Sequence, residues 1–234
     1  VPGSAPWSSP PTTPCLDPLD CLSYVAANTS RLLLGTGVLL LPHHHPVPLA
    51  KRLATVDLLS GGRLRLLTVG VGALPGEAAA VGVDFTTRGR RADEAIEVLR
   101  LLWSGRPVSH AGEFFRFEDV CSCPTADLPI HVGGSSAAAA RRAGRLGHGY
   151  FAGGMLAPGE RARQFDLART AAADAGHDPA ALEYTRWGSL DLLPEKVEAL
   201  AVQGVTRLVV SATSPDPSRQ RDELSAFAER FGLS

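Results

Sequence analysis

The chain has 234 residues, a formal net charge of −1 with a pI near 6.7, and 44% hydrophobic residues. That is enough apolar content for a real core, and it carries no basic stripe of the kind that tracks a phosphate backbone, so nucleic-acid binding is disfavoured. No apolar run is long enough to span a bilayer and no charged-then-apolar leader opens the chain, so a cytoplasmic, non-membrane protein with reduced cysteines (Cys15, Cys21, Cys121, Cys123) is expected.

The first eighteen residues hold six prolines and no periodicity, and residues 1–16 are expected as a flexible arm or loop before one domain at 17–234. Asp17-Pro18 has the form of a helix N-cap and first turn, with a helix over Leu19 to Asn28. An apolar strand, Arg31 to Leu41, is followed by a helix, Pro46 to Leu59, which stops at Ser60-Gly61-Gly62, and by a second apolar strand, Arg63 to Val71. Strand, crossover helix, strand makes the two strands parallel, and strands apolar on both faces suit a parallel sheet covered by helices.

A helix over Thr87 to Trp103 shows apolar residues at helical spacing, and a hairpin follows over Val108 to Phe117, turning at Ala111-Gly112. Four further strands are expected at Leu128 to Val132, near His148 to Ala152, within Leu182 to Leu192, and at Val205 to Ala212. They alternate with helices over Ser136 to Arg145, Pro158 to Ala175, Pro194 to Gln203 and Pro217 to Phe231. Six strands alternating with helices indicate an α/β fold, and the pattern alone fits either a doubly wound sheet or a (β/α)8 barrel.

Small residues gather at the strand ends, where a backbone can approach a ligand closely. Gly35-Thr36-Gly37-Val38 is the first group, Gly70-Val71-Gly72 the second, Gly133-Gly134-Ser135-Ser136 the third and Ala152-Gly153-Gly154 the fourth. In the second group the next glycine is Gly76, one position late for G-x-G-x-x-G, so a dinucleotide fingerprint is rejected. Glu77 reads as a loop carboxylate. The third group ends a strand and opens a helix, where free N–H groups and the helix dipole favour an anion, although a plain serine cap needs no ligand. An anion there predicts that Gly134→Val lowers cofactor affinity without unfolding the protein.

His43-His44-His45 invites a metal, but adjacent histidines rarely converge on one ion, and Cys121-Ser122-Cys123 lacks the C-x-x-C spacing, so no metal site is expected. One histidine of the triplet at the pocket mouth would be able to carry a proton. Arg141 and Arg142 are expected on a charged outer helix face, Arg88, Arg90 and Arg91 in surface ion pairs with Asp93 and Glu94, and His148 at the surface or a strand start.

The chain resembles the luciferase-like monooxygenases, and within them the oxidoreductases that use the deazaflavin coenzyme F-420. The resemblance is carried by LGTGVLLLP (34–42), HPVPLAKRLATVDLLSGGRL (45–64), VGVG (69–72), RGRRADEAIEVLRLLWSG (88–105), GEFFRFEDV (112–120), PIHVGG (129–134) and RRAGRLGHGYF (141–151), in order and collinear. It implies a TIM-type barrel with the cofactor at the C-terminal strand ends, reduced here to six of eight strands because the family's opening strand–helix–strand is absent. It implies Gly37, Val38, Val71, Gly72, Gly133, Gly134, Ser135, Ala152 and Gly153 as cofactor contacts, Gly37 and Val38 at a backbone bulge beneath the ring. The missing segment carries the family's usual catalytic pair, so no catalytic residue is named.

The implied activity is hydride transfer between F-420 and a small organic substrate. An FMN-dependent monooxygenase of the same family is the first alternative. A truncated, non-catalytic cofactor-binding or structural paralogue is the second, and its open strand edges would invite a homodimer. A metal hydrolase using the histidine triplet would require stoichiometric metal.

Overall fold

A computed structural model describes residues 15–153 and 156–233; the arm expected at residues 1–16 lies, but for Cys15 and Leu16, outside them. The chain enters at α1 (Pro18–Asn28), where the Asp17 carboxylate accepts the Leu19 and Asp20 N–H groups at 2.9 and 3.1 Å. β1 (Leu34–Leu40), a short 3-10 turn, α2 (Pro46–Leu59) and β2 (Leu64–Gly70) follow. The junction between α1 and β1 is fixed by one side chain. The Arg63 guanidinium donates to the carbonyls of Ala26, Thr29 and Leu32 and to the Thr29 hydroxyl, using the several N–H groups an arginine presents in one plane. β1 begins three residues later than its apolar run suggested, and Leu32 and Leu33 are exposed.

A short helix the sequence did not announce, α3 (Pro75–Ala80), precedes α4 (Arg88–Trp103) and the hairpin β3 (Val108–Ala111) and β4 (Arg116–Val120). Then come β5 (Ile130–Gly134), α5 (Ala137–Leu146), β6 (Gly149–Ala152), α6 (Pro158–Asp174), β7 (Glu183–Trp187), α7 (Pro194–Val202), β8 (Arg207–Val209) and α8 (Pro217–Arg230). Proline stands in the first turn of α2, α6, α7 and α8, where its missing N–H is harmless.

Strand order separates the two topologies that the pattern left open. The sheet runs β1-β2-β5-β6-β7-β8, all parallel, with no strand inserted out of order. A doubly wound sheet reverses direction at a switch point. A sheet that steps one way throughout, with its helices on one side, curls as a barrel wall does. The result is a six-stranded parallel half-barrel.

The face each residue takes follows from alternation along the strands. Tyr150 reaches Gln164 of α6 and Tyr184 stacks on Phe165 of α6, so these side chains face the helical layer. Phe151, Thr185 and Trp187 therefore face the opposite, concave side. The main core lies between sheet and helices and includes Leu53, Leu67, Val69, Ile96, Leu99, Ile130, Val132 and Tyr150. At the α5–α6 crossing a Cβ on Gly144 would collide with the Ala168 carbonyl, so only glycine permits that approach.

Candidate functional site at the strand ends

The register between β1 and β2 pairs Gly37 with Thr68 and Leu39 with Val69, leaving Val38 as the extra residue of a β-bulge. The bulge turns Val38 onto the concave side, where its side chain crosses the next strand. A Cβ on Gly70 would lie 2.9 Å from Val38 Cγ2. A Cβ on Gly133 would meet Thr68 Cγ2 at 3.3 Å and the Val69 carbonyl at 3.4 Å. At Gly37 nothing lies within 4 Å of such a Cβ, so the concave face is open there. Glycine at 70 and 133 thus lets three strands share one shallow floor.

The loops above the floor are tied down by α4. Arg91 donates to the Pro42 carbonyl and Arg88 to the Gly72 carbonyl, each at 3.3 Å. Gly72 adopts φ +79°, and its position faces the His43 imidazole, with Nε2 3.5 Å from where a Cβ would be. Val71 is half-buried against the core. At β5 the chain turns at Gly134, φ +144°, and the Gly134 carbonyl accepts the Gly153 N–H at 3.0 Å, joining the ends of β5 and β6. Ser135 is exposed, Ala152 is buried in the core and Gly153 is half-buried. Gly154 and Met155 lie outside the described residues.

Ser136 is the N-cap of α5, its hydroxyl accepting the Ala139 N–H at 3.2 Å. The cap leaves the first-turn amides of Ala137 and Ala138 without intrahelical partners, directly after the exposed Ser135. Gly134→Val is a poor probe of this corner. The left-handed φ and a 2.7 Å approach to Ala139 Cβ would strain α5 before any ligand was involved.

Several residues of the concave side carried no sequence signal. Trp187, 48% exposed, ends β7 with its ring 5.2 Å from Phe151, giving the rim an aromatic wall. Below it lie Thr68, His131 and Thr185, all fully or almost fully buried, with hydroxyls and ring nitrogens that have no hydrogen-bond partner among the described residues. The His131 ring lies against Gly149, where a Cβ would collide with Nδ1. Its Nε2 is 3.9 Å from Glu183 Oε2, and Arg207 pairs with that same oxygen at 2.6 Å. Burial dominates the titration of His131 and pushes it down to about 4, against the pull of Glu183, so the ring is neutral at physiological pH. Polar residues inside an otherwise apolar strand read as part of the apolar run, which is why they were missed.

The histidine triplet diverges. His43 faces Gly72, His45 caps α2 by accepting the Val47 N–H and meets Phe115 edge-on, and His44 is half-buried, its basicity lowered by burial and by Arg52. Among the described residues no three His, Cys, Asp or Glu side chains converge as metal ligands.

Other charged residues also differ from expectation. Arg142 is buried and shares Asp93 with Arg145, because that face of α5 turns toward α4. Arg90 pairs with Glu113, while Glu94 accepts from the hairpin amides of Phe114 and Phe115 and contacts His110. His148 is a connector whose Nδ1 accepts the Ile130 N–H at 3.0 Å and so fixes the start of β5.

The sequence model of the luciferase-like monooxygenases matches residues 4–229. The chain belongs to that family. It is 34% identical over 201 residues to an F420-dependent glucose-6-phosphate dehydrogenase of Kineococcus radiotolerans, covering 75% of this chain and 59% of that one. It is 38% identical over 99 residues to the 4-hydroxyprotoasukamycin monooxygenase of Streptomyces nodosus subsp. asukaensis, covering 42% and 26%. The chain thus spans less than two thirds of the length of these curated relatives.

Among solved structures, the coenzyme F420-dependent tetrahydromethanopterin reductase of Methanopyrus kandleri superposes with a TM-score of 0.77 at 16% identity, over 93% of this chain and 87% of that one. At that identity the likeness shows the fold alone. It agrees with a TIM-like half-barrel, and the glycine floor lies at the C-terminal ends of its strands.

Proposed function

We propose that this luciferase-like chain binds the deazaflavin coenzyme F-420 on the floor formed by Gly37, Val38, Gly70 and Gly133, and serves hydride transfer between it and a small organic substrate. The observation that carries the reading is the bulge at Val38 together with the open space at Gly37. A flat tricyclic ring needs a smooth backbone surface, and side chains at 70 or 133 would break it. The small-residue rim fits such a group, and the F420-dependent dehydrogenase among its relatives supports the choice of cofactor.

Val38 and Trp187 would bracket the ring. The exposed amides at Ser135 and the start of α5, with Gly153 beside them, would take the phosphorylated tail. The deazaflavin supplies the hydride chemistry, and the protein supplies orientation and a water-poor pocket. His43, whose Nε2 faces Gly72, stands at the mouth, where it would accept a proton from an alcohol substrate.

A second reading, an FMN-dependent monooxygenase, is favoured by the similarity to the 4-hydroxyprotoasukamycin enzyme. The hydride-transfer reading is tested by supplying the deazaflavin-loaded chain with a panel of oxidisable alcohols and hemiacetals. Bleaching of the visible band is the expected result. Tight binding without bleaching across the panel would remove hydride transfer and leave cofactor binding.

A further inference from the structure

We propose that Arg161, Arg186 and the Tyr184 hydroxyl form a binding site for a phosphate- or carboxylate-type oxyanion, at the C-terminal end of β7 beside the first turn of α6.

The rings of Tyr184 and Phe165 stack at 4.1 Å with 11° between their planes, which registers β7 against α6. The helix runs antiparallel to the strand. Arg161 precedes Phe165 by one helical turn, about 6 Å along the axis. Arg186 follows Tyr184 by two residues, about 6.6 Å, and by alternation shares its face. Both steps lead toward the C-terminal strand ends, so the two arginines stand side by side above the stacked rings.

Neither arginine has an ionic partner among the described residues. Arg161 donates to the Leu156 carbonyl at 2.6 Å, and the Arg186 guanidinium makes no hydrogen bond or ion pair among the described residues. The adjacent acid, Glu160, is engaged by Arg163 through one oxygen at 2.6 Å and by Gln164 through the other at 2.8 Å. Tyr184 is 3% exposed, and its hydroxyl has no hydrogen-bond partner among the described residues. Burial raises the pKa of that hydroxyl while Arg186 and Arg161 pull it back, and the Arg186 pKa is itself lowered by burial and then by Arg161.

Arg161 also occupies the first turn of α6, where the helix dipole disfavours a cation. Two guanidiniums without an ionic partner among the described residues, a positive helix end and a buried hydroxyl donor therefore stand together. An oxyanion offers each of them an acceptor, and guanidinium forks suit the planar edge of a carboxylate or phosphate.

Two sources fit that chemistry. One is the phosphorylated tail of the cofactor, because Gln164, next to Phe165, also donates to the Ser135 carbonyl at 2.9 Å and so ties this site to the neighbouring rim. This source rests on the proposed function. The other is a free anionic small molecule.

The test is calorimetric titration of the purified chain with inorganic phosphate, for wild type, Arg186→Gln, Tyr184→Phe and, as control, Arg163→Gln, which alters an exposed pair with Glu160. Circular dichroism confirms that each variant is folded. Saturable binding to wild type is expected, weakened by about tenfold or more in Arg186→Gln, several-fold in Tyr184→Phe and not at all in Arg163→Gln. Absence of saturable binding, or equal binding to folded Arg186→Gln, overturns the site.

A second arm compares the intact deazaflavin with the chromophore lacking its phosphorylated tail. If the tail is the occupant, Arg186→Gln weakens only the intact cofactor and phosphate competes with it. If a free anion is the occupant, Arg186→Gln leaves both cofactor forms unchanged while still losing phosphate. Failure of wild type to bind either form counts against the proposed function, and the phosphate arm then decides the site alone.

Discussion

Substituting Gly37 with valine separates space kept for a ligand from space needed by the fold. A Cβ at this position meets nothing within 4 Å, and its φ is not left-handed. The added isopropyl group therefore enters open volume on the concave face. In the ligand-free protein a β-branched residue suits a strand better than glycine, by up to about 1 kcal/mol, so the melting temperature should hold or rise by a few degrees, ~2–4 °C for a domain of this size.

With a planar ring resting on the floor, the same group overpacks the contact at a cost of about 1–3 kcal/mol, a weakening of Kd of roughly fivefold to 150-fold. Thermal melts by circular dichroism and a fluorescence titration with deazaflavin read the two effects separately. An unchanged Kd in a folded variant would refute the assignment of the floor. A large drop in melting temperature would refute the claim that the space is open. Gly70→Val is the contrasting control, because its Cβ is already 2.9 Å from Val38 and stability should fall first.

Glu94→Ala should destabilise the chain by about 2–3 kcal/mol in urea titrations, since the Phe114 and Phe115 amides, each bonded at 2.9 Å, lose a charged acceptor whose side chain is only 11% exposed. Burial raises the Glu94 carboxyl, but the bonds from Phe114, His110 and Phe115 outweigh it and leave the group below the ordinary glutamate range. Its contribution is thus full above the unfolded value and is lost as pH falls through the folded one, a loss the variant should not show. His131 has the opposite protonation chemistry and the same direction. The unfolded chain binds its proton near 6.5 and the folded chain only at about 4, so stability falls by about 2 kcal/mol between pH 6.5 and pH 5. His131→Leu should remove that slope, and an unchanged slope in the variant would mean that a group other than His131 carries it.

The crossovers were legible because caps and prolines mark them. Asp17-Pro18 and Pro46 open helices where expected, and Ser60-Gly61-Gly62 closes α2. Strand order was not legible, because alternation of strands and helices is common to wound sheets and barrels. Only hydrogen-bonded neighbours show that β2 lies beside β5 without reversal. The bulge at Val38 was reached through resemblance, since small residues in a strand have many uses.

The inward face was hidden for a different reason. In a parallel strand such as IHVGG both faces are buried, so period-two alternation cannot reveal that His131 looks inward and Ile130 outward. Trp187 and Arg186 are adjacent in β7 yet serve opposite faces, a distinction that exists only once Tyr184 is seen stacked on α6. Arg142 was misplaced because helix charge patterns carry no record of which neighbour a face meets.

Equilibrium titration of the purified chain with coenzyme F-420 and, in parallel, with FMN tests the central claim most directly, followed through quenching of Trp187 fluorescence and loss of that signal in Trp187→Phe. Saturable, one-to-one binding of the deazaflavin, tighter than that of FMN, is the expected result. No saturable binding of either coenzyme by the folded chain would contradict it.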